Sequence, residues 1–326
     1  MRSHSQLHKR LRRHGCILFF LLMLPLSLLT GCSSGSGTTA NTDTPAQASD
    51  SGTRDATPQV LTAEASGEVT YGNDTVALDA SHTADGYLML RYSGSNEKVK
   101  LQITLPDSTE YTYPVTASDD FSVYPLPGGN GTYKVTLLES VSVEDNLYAV
   151  SFTQDLDVTV SNEFSPFLYP NFYVNFTKDS ACVKKGKELA QGCSSDLDAI
   201  TNIYNYVIEN ISYDQKKADS VPYGYIPSPD DTLTSGTGIC FDYASLMSAM
   251  LRSQRIPTKL EVGYSGEVYH AWISCYVTEV GWVDNIIEFD GKSWSIMDPT
   301  LAANNSASNV KKYVGDGSNY VTKYTY

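Results

Sequence analysis

Residues 231–251 read DTLTSGTGICFDYASLMSAML: a polar, glycine-rich approach, then a cysteine, then at once an apolar-periodic run. Tyr243, Leu246, Met247, Met250 and Leu251 recur at 3-and-4 spacing, which predicts a helix with one core face that ends before the RIPT of residues 255–258. Cys240 therefore stands at the mouth of that helix. Exposed backbone N–H groups at a helix start favour an anion, so a thiol there is biased toward thiolate, the nucleophilic form. The alternative is a small core residue, the commonest fate of a cysteine outside disulfides.

The residues that follow alternate rather than repeat at helical spacing. KLEVGYS (259–265) and VYHAWISCYV (268–277) read as a hairpin, and IIEFD (286–290) and SWSIMD (293–298) as two strands about a tight DGK turn. Helix first and antiparallel strands after predicts an α+β domain. Alternation puts His270, Trp272 and Ser274 on one strand face and Ala271, Ile273 and Cys275 on the other, which makes Cys275 a packing thiol. Trp272 is either a wall of the site or ordinary packing. Asp298 closes its strand where Pro299 stops it. Cys240, His270 and Asp298 supply the three parts of a thiol acyl-transfer triad. Asp242, in the first helical turn, reads as a cap.

Taken together, TGICFDYASLMSAMLRSQRIPTKLEVGY (237–264), YHAWISCYV (269–277) and WSIMDPT (294–300) resemble the core of the transglutaminase-like superfamily, whose papain-like arrangement is shared with cysteine proteases. The resemblance covers roughly residues 196–300, counting the YNYVIENISYD segment (204–214), where Tyr213 and Asp214 fit the usual helix exit. It implies a cysteine helix packed on an antiparallel sheet that carries the other two residues. Cys240 would be the nucleophile, His270 the general base and then acid, and Asp298 the group that orients the imidazolium. The backbone N–H of Cys240 would form part of an oxyanion hole. The implied activity is acyl transfer, or amide or peptide hydrolysis, through a thioester, on protein or cell-wall peptide substrates. A non-catalytic surface adaptor on the same fold is the alternative class.

Upstream the chain changes character three times. Residues 1–31 carry Arg2, Lys9, Arg10, Arg12 and Arg13, no acid, and the run CILFFLLMLPLSLL, which predicts a secretory signal too short to span a bilayer. LLTGC (28–32) resembles the lipobox of bacterial lipoproteins, so Cys32 is the expected lipid anchor, placing the protein on the outer face of the cell membrane. Residues 32–66, rich in Ser, Thr, Gly and Ala, predict a flexible tether. From 67 to 160 short alternating runs separated by turns such as SGSNE and PGGNG predict an all-β immunoglobulin-like sandwich, read as a spacer, with glycan binding as the other reading. Residues 161–195 form a connector with six aromatics and a short helix, ahead of the catalytic domain at 196–326, whose first helix starts at Ser195 and Asp196.

Composition narrows the partners. Without residues 1–31 the chain keeps 18 basic against 37 acidic side chains, a formal charge of −19, which repels nucleic acid. Beyond Cys16 and Cys32 only Cys182, Cys193, Cys240 and Cys275 remain, too scattered for a disulfide framework. A helix between Cys182 and Cys193 would hold their Cα atoms about 16 Å apart, favouring two separate buried thiols. His82, in the polar loop DASHTADG, reads as solvated. No metal or cofactor is expected.

Overall fold

Strict alternation and closely spaced turns build the first half of the molecule from strands. A computed structural model describes residues 53–142, 144, 146–278, 281–283, 287–289, 294–296 and 320–326, all within one unit from Ser51 to Tyr326. Cys32 and Asp298 lie outside the described residues. Strands β1 (Thr70–Gly72), β2 (Val76–Asp79), β3 (Tyr87–Tyr92), β4 (Val99–Thr104), β5 (Glu110–Val115), β6 (Ser122–Pro125), β7 (Gly131–Ser142) and β8 (Leu147–Val158) form two antiparallel sheets, ordered β1-β2-β3-β6 and β5-β4-β7-β8. Their inner faces meet. Leu101 and Ile103 of β4, Val135 and Leu137 of β7, and Leu88 and Leu90 of β3 share one buried cluster, and Tyr113 of β5 meets Tyr124 of β6 edge-on at 4.9 Å. His82 sits in the loop after β2, a third exposed, with Nδ1 3.0 Å from Asp85.

The helices follow: α1 (Ala181–Ala190), α2 (Asp196–Asn210), the short β9 (Ser212–Tyr213), α3 (Gln215–Ser220), α4 (Pro229–Ser235), β10 (Thr237–Gly238) and α5 (Cys240–Ser253). Ser195 caps α2 by accepting from the Asp198 N–H at 3.1 Å, as its Ser/Asp start predicts. Then come β11 (Thr258–Ser265), β12 (Val268–Val277), β13 (Gly281–Val283), β14 (Ile287–Phe289), β15 (Trp294–Ile296) and β16 (Tyr320–Thr325). Strands β13-β12-β11-β16 form one antiparallel sheet, and β14 pairs with β15.

Three findings depart from the sequence expectation. Every residue of α5 from Asp242 to Ser253 is buried, not one face alone. The cause is that α1, α2, α4, β11 and β12 all pack against it, a placement that Ala244, Ser245, Ser248 and Ala249 permit because small side chains let neighbours approach. Gly186 of α1 shows how close: a Cβ there would lie 3.2 Å from the Met250 carbonyl oxygen.

Second, the described end of the presumed tether is docked. Arg54 Nε donates to Asp196 at 2.5 Å, its other nitrogens reach the side chain and carbonyl of Gln254, and the Gln59 N–H donates to the Ser253 carbonyl at 2.8 Å. A Ser/Thr-rich composition hid these anchors because a few well-placed bonds, with Ala56 and Val60 packed against the core, hold a segment that is poor in large apolar groups.

Third, the two halves share aromatic packing. The Tyr111 hydroxyl accepts from the Thr325 N–H at 2.9 Å, and Tyr113 lies 5.6 Å from Tyr173 and 5.9 Å from Tyr326, ring centre to ring centre. Tyr173 in turn lies 5.1 Å from Phe241, the neighbour of Cys240. Each such contact contributes about 0.5–1.5 kcal/mol beyond area burial, so the β layers are fastened to the helix that carries the thiol.

Candidate active site

The approach to Cys240 is shaped by its glycines. Gly236 closes α4 in the left-handed region at φ 64°, and a Cβ on Gly238 would meet the Asp242 Cβ at 2.7 Å. β10 pairs in parallel with β9, so the segment that leaves α2 at Tyr213 steadies the segment that enters α5. Cys240 is the first helical residue, preceded by Ile239 as N-cap. It is half-buried, whereas Cys182, Cys193 and Cys275 are buried, and none of the four is in a disulfide.

Asp242 fixes that turn. Fully buried, it accepts from the Ile239 N–H at 2.8 Å, from Lys217 Nζ at 2.7 Å and from the Tyr225 hydroxyl at 2.5 Å. Lys217 Nζ also reaches the Tyr225 oxygen at 2.6 Å. Burial pulls the Lys217 ammonium down, but its bonds to Asp242 and Tyr225 outweigh that and leave it raised above the ordinary lysine value. Burial, aided by the bond to Asp242, pushes the Tyr225 phenol up to about 12. The cap read from sequence is thus also the centre of a charged network. Its partners stand 25 and 17 residues away, at a spacing that carries no local pattern.

His270 lies on β12 opposite Gly263 of β11 and is buried. Ala271, Ile273 and Cys275 join the core cluster, as alternation predicts, and burial pushes the Cys275 thiol up to about 12. Trp272 belongs to the other face. It is fully buried against Tyr320 at 4.9 Å and donates its indole N–H to Glu261 at 3.1 Å, as does the Ser274 hydroxyl, so it acts in packing and does not wall the cleft.

Cys240 and His270 line one cleft of about 540 Å³. Its walls include Tyr213, Tyr223, Tyr225, Phe241 and Tyr269, and its far side is built by Thr112 and Pro114 of β5. The β layers therefore help to form the cleft and are more than a spacer. A thiol at a helix start facing a histidine-lined, largely aromatic cleft is equipped for nucleophilic attack on a carbonyl. Asp298 cannot be placed with them because it falls outside the described residues.

Residues 184–299 match the family model of the transglutaminase-like superfamily. Over 181 residues the chain is 24% identical to UPF0252 protein MJ1282 of Methanocaldococcus jannaschii; the match covers 51% of this chain and 50% of that protein, so the chain spans about half the length of this curated relative. Among solved structures it is similar to a candidate cysteine protease from Cytophaga hutchinsonii, with a TM-score of 0.36 and 18% identity over 79% of this chain and 73% of that one. It is also similar to red sea bream transglutaminase, with a TM-score of 0.25 and 12% identity over 66% of this chain and 48% of that one. The helices and antiparallel sheets after α1 form a mixed α+β fold of the transglutaminase-like kind.

Proposed function

We propose that this chain, whose residues 184–299 carry a transglutaminase-like core, performs thiol-dependent acyl transfer or amide hydrolysis with Cys240 as nucleophile, His270 as base and Asp298 as the group that orients the imidazole. One observation carries the reading: the half-buried thiol at the first position of α5 opens on the cleft that His270 also lines. In the reaction, the Cys240 sulfur bonds to the carbonyl carbon while His270 holds the thiol proton. The C–N bond then breaks, and the departing amine takes that proton. Water, or a second amine, gives a proton to His270 as it attacks the thioester, and the C–S bond breaks as His270 passes that proton back to the sulfur. The chain's acidity favours neutral or cationic protein and cell-wall peptide substrates over anionic polymers. In the same reading Cys32 carries the lipid that holds the protein on the outer face of the cell membrane, and the two β layers are an immunoglobulin-type sandwich.

Hydroxylamine trapping tests it. Peptide carboxamides incubated with the protein and hydroxylamine should yield hydroxamates, and mass spectrometry should find the acyl group on Cys240. Both should vanish in Cys240→Ala and His270→Ala. Hydroxamate formation that survives Cys240→Ala would remove the thiol from the chemistry. A reactive site that binds peptides without ever acylating would favour the adaptor.

A further inference from the structure

The cleft at Cys240 has a chemical character of its own. Among its described lining residues there is no aspartate, glutamate, lysine or arginine, although charged residues make up 18% of the chain. What lines it instead is a ring of tyrosines interleaved with aliphatic groups such as Pro114, Val221 and Val262. Lys217, the cation nearest in sequence to this wall, does not line the cleft and is bonded to Asp242 and to the Tyr225 hydroxyl. Burial pushes two of the phenols at the cleft, those of Tyr225 and Tyr269, up to about 12.

The walls are held from two sides. The loop 221–225 is tied to the nucleophile helix through the Tyr225–Asp242 bond. Its Gly224, at φ 82°, sits so near β5 that a Cβ would lie 3.3 Å from the Pro114 Cβ. Tyr223 and Tyr269 flank the mouth, 79% and 56% exposed, which is costly surface for aromatic rings to leave open. A charged side chain entering here would lose water and, among the described lining residues, meet no carboxylate, ammonium or guanidinium; Lys100, 5.9 Å from the Tyr223 ring, lies closer to Tyr148, at 4.0 Å. A sugar would want the planar carboxylates, amides and guanidines that the described lining lacks. A large uncharged side chain meets complementary aromatic and aliphatic surface among the described lining residues.

We infer that the cleft selects amide substrates that carry a large uncharged side chain, aromatic or branched aliphatic, next to the carbonyl that Cys240 attacks, and that Tyr223, Tyr269 and β5 set this choice. The inference rests on the proposed thiol chemistry for which carbonyl is attacked, but the side-chain preference can be read without turnover.

Two arms keep the claims apart. In the first, N-acetyl dipeptide amides differing only in Phe, Leu, Glu or Lys are titrated into the full chain bearing Cys240→Ala. Phe and Leu should bind roughly 10- to 100-fold tighter than Glu and Lys, the ratio that burying one large apolar side chain supplies. Adding Tyr269→Ala or Tyr223→Ala, both at exposed positions that leave the core intact, should shrink that ratio several-fold. In the second, dipeptidyl acyloxymethyl ketones with the same four side chains label the wild-type thiol, and their rates should rank likewise. Equal or tighter binding of Glu or Lys, or a ratio untouched by both tyrosine variants, overturns the inference even if Cys240 proves reactive. A preference that survives in the first arm while no ketone labels Cys240 upholds the cleft's selectivity and overturns the catalytic reading instead.

Discussion

Removing the Asp242 carboxylate should loosen the site more than its place in an ordinary cap would imply. The side chain is fully buried and accepts three bonds, from Ile239, Lys217 and Tyr225. Breaking a buried ion pair by deleting one partner costs about 3–5 kcal/mol, because the other charge is stranded. Lys217 keeps 31% of its side chain exposed and recovers some water, which places Asp242→Ala near the lower end, about 3 kcal/mol. Asp242→Asn keeps one acceptor and should cost about 1.5–3 kcal/mol, and Tyr225→Phe about 1.5 kcal/mol. Urea unfolding reads these values as shifts of the midpoint at constant slope. The double variant Asp242→Asn with Tyr225→Phe should cost less than the two singles together, since they share one bond. A cost below about 1 kcal/mol for Asp242→Ala, or strict additivity in the double variant, would refute the network as drawn.

Other positions make independent predictions. Asp230 accepts from the N–H groups of Ala181 and Cys182 at the start of α1; burial opposes its charge, the bonds win, and its pKa lies below 3.8. A depressed folded-state value means that its contribution is present above pH 3.8 and lost as pH falls through that lower value, so Asp230→Asn should cost about 1 kcal/mol at pH 6 and the gap to wild type should close in acid unfolding curves. Gly263→Ala would set a Cβ 2.0 Å from the Val321 carbonyl oxygen, forcing β16 off β11; a loss of about 1–3 kcal/mol in thermal or urea unfolding is expected. Arg54→Ala should speed hydrogen exchange at the Gln59 amide, which bonds to the Ser253 carbonyl, without changing exchange in β4 or β7.

Local pattern carried much of this molecule. The 3-and-4 spacing of α2 and α5, the Ser195 start and the alternation of β11 and β12 are short-range signals, and the structure has each of them. The places of Cys240 at a helix start and of His270 on a strand were legible for the same reason, because each sits at a distinctive point of a regular element. What could not be read is long-range. The burial of α5 on all sides depends on three helices and a sheet meeting around it. Tyr173 and Tyr326 reach the cleft from a connector and from β16's end, and Thr112 and Pro114 reach it from a β layer more than a hundred residues before the thiol. Tyrosine abundance in the sequence had no direction attached to it; the aromatic chain from Tyr113 through Tyr173 to Phe241 supplies one. Alternation gives Trp272 the same face as His270, but it could not show that Trp272 is held by the Glu261 carboxylate and the Tyr320 ring.

Reactivity of the thiol tests the central claim most directly. Iodoacetamide labelling between pH 4 and 9, resolved by cysteine-containing peptide, should be run on the wild-type chain and on His270→Ala. Burial raises the thiols of Cys182, Cys193 and Cys275, so these three serve as slow internal standards. The account predicts that Cys240 alone reacts quickly well below the ordinary thiol pKa of about 8.5, and that His270→Ala removes this low-pH reactivity. If Cys240 instead titrates as an ordinary thiol in both proteins, or stays as slow as the buried three, the cleft holds no activated nucleophile and the catalytic account is wrong.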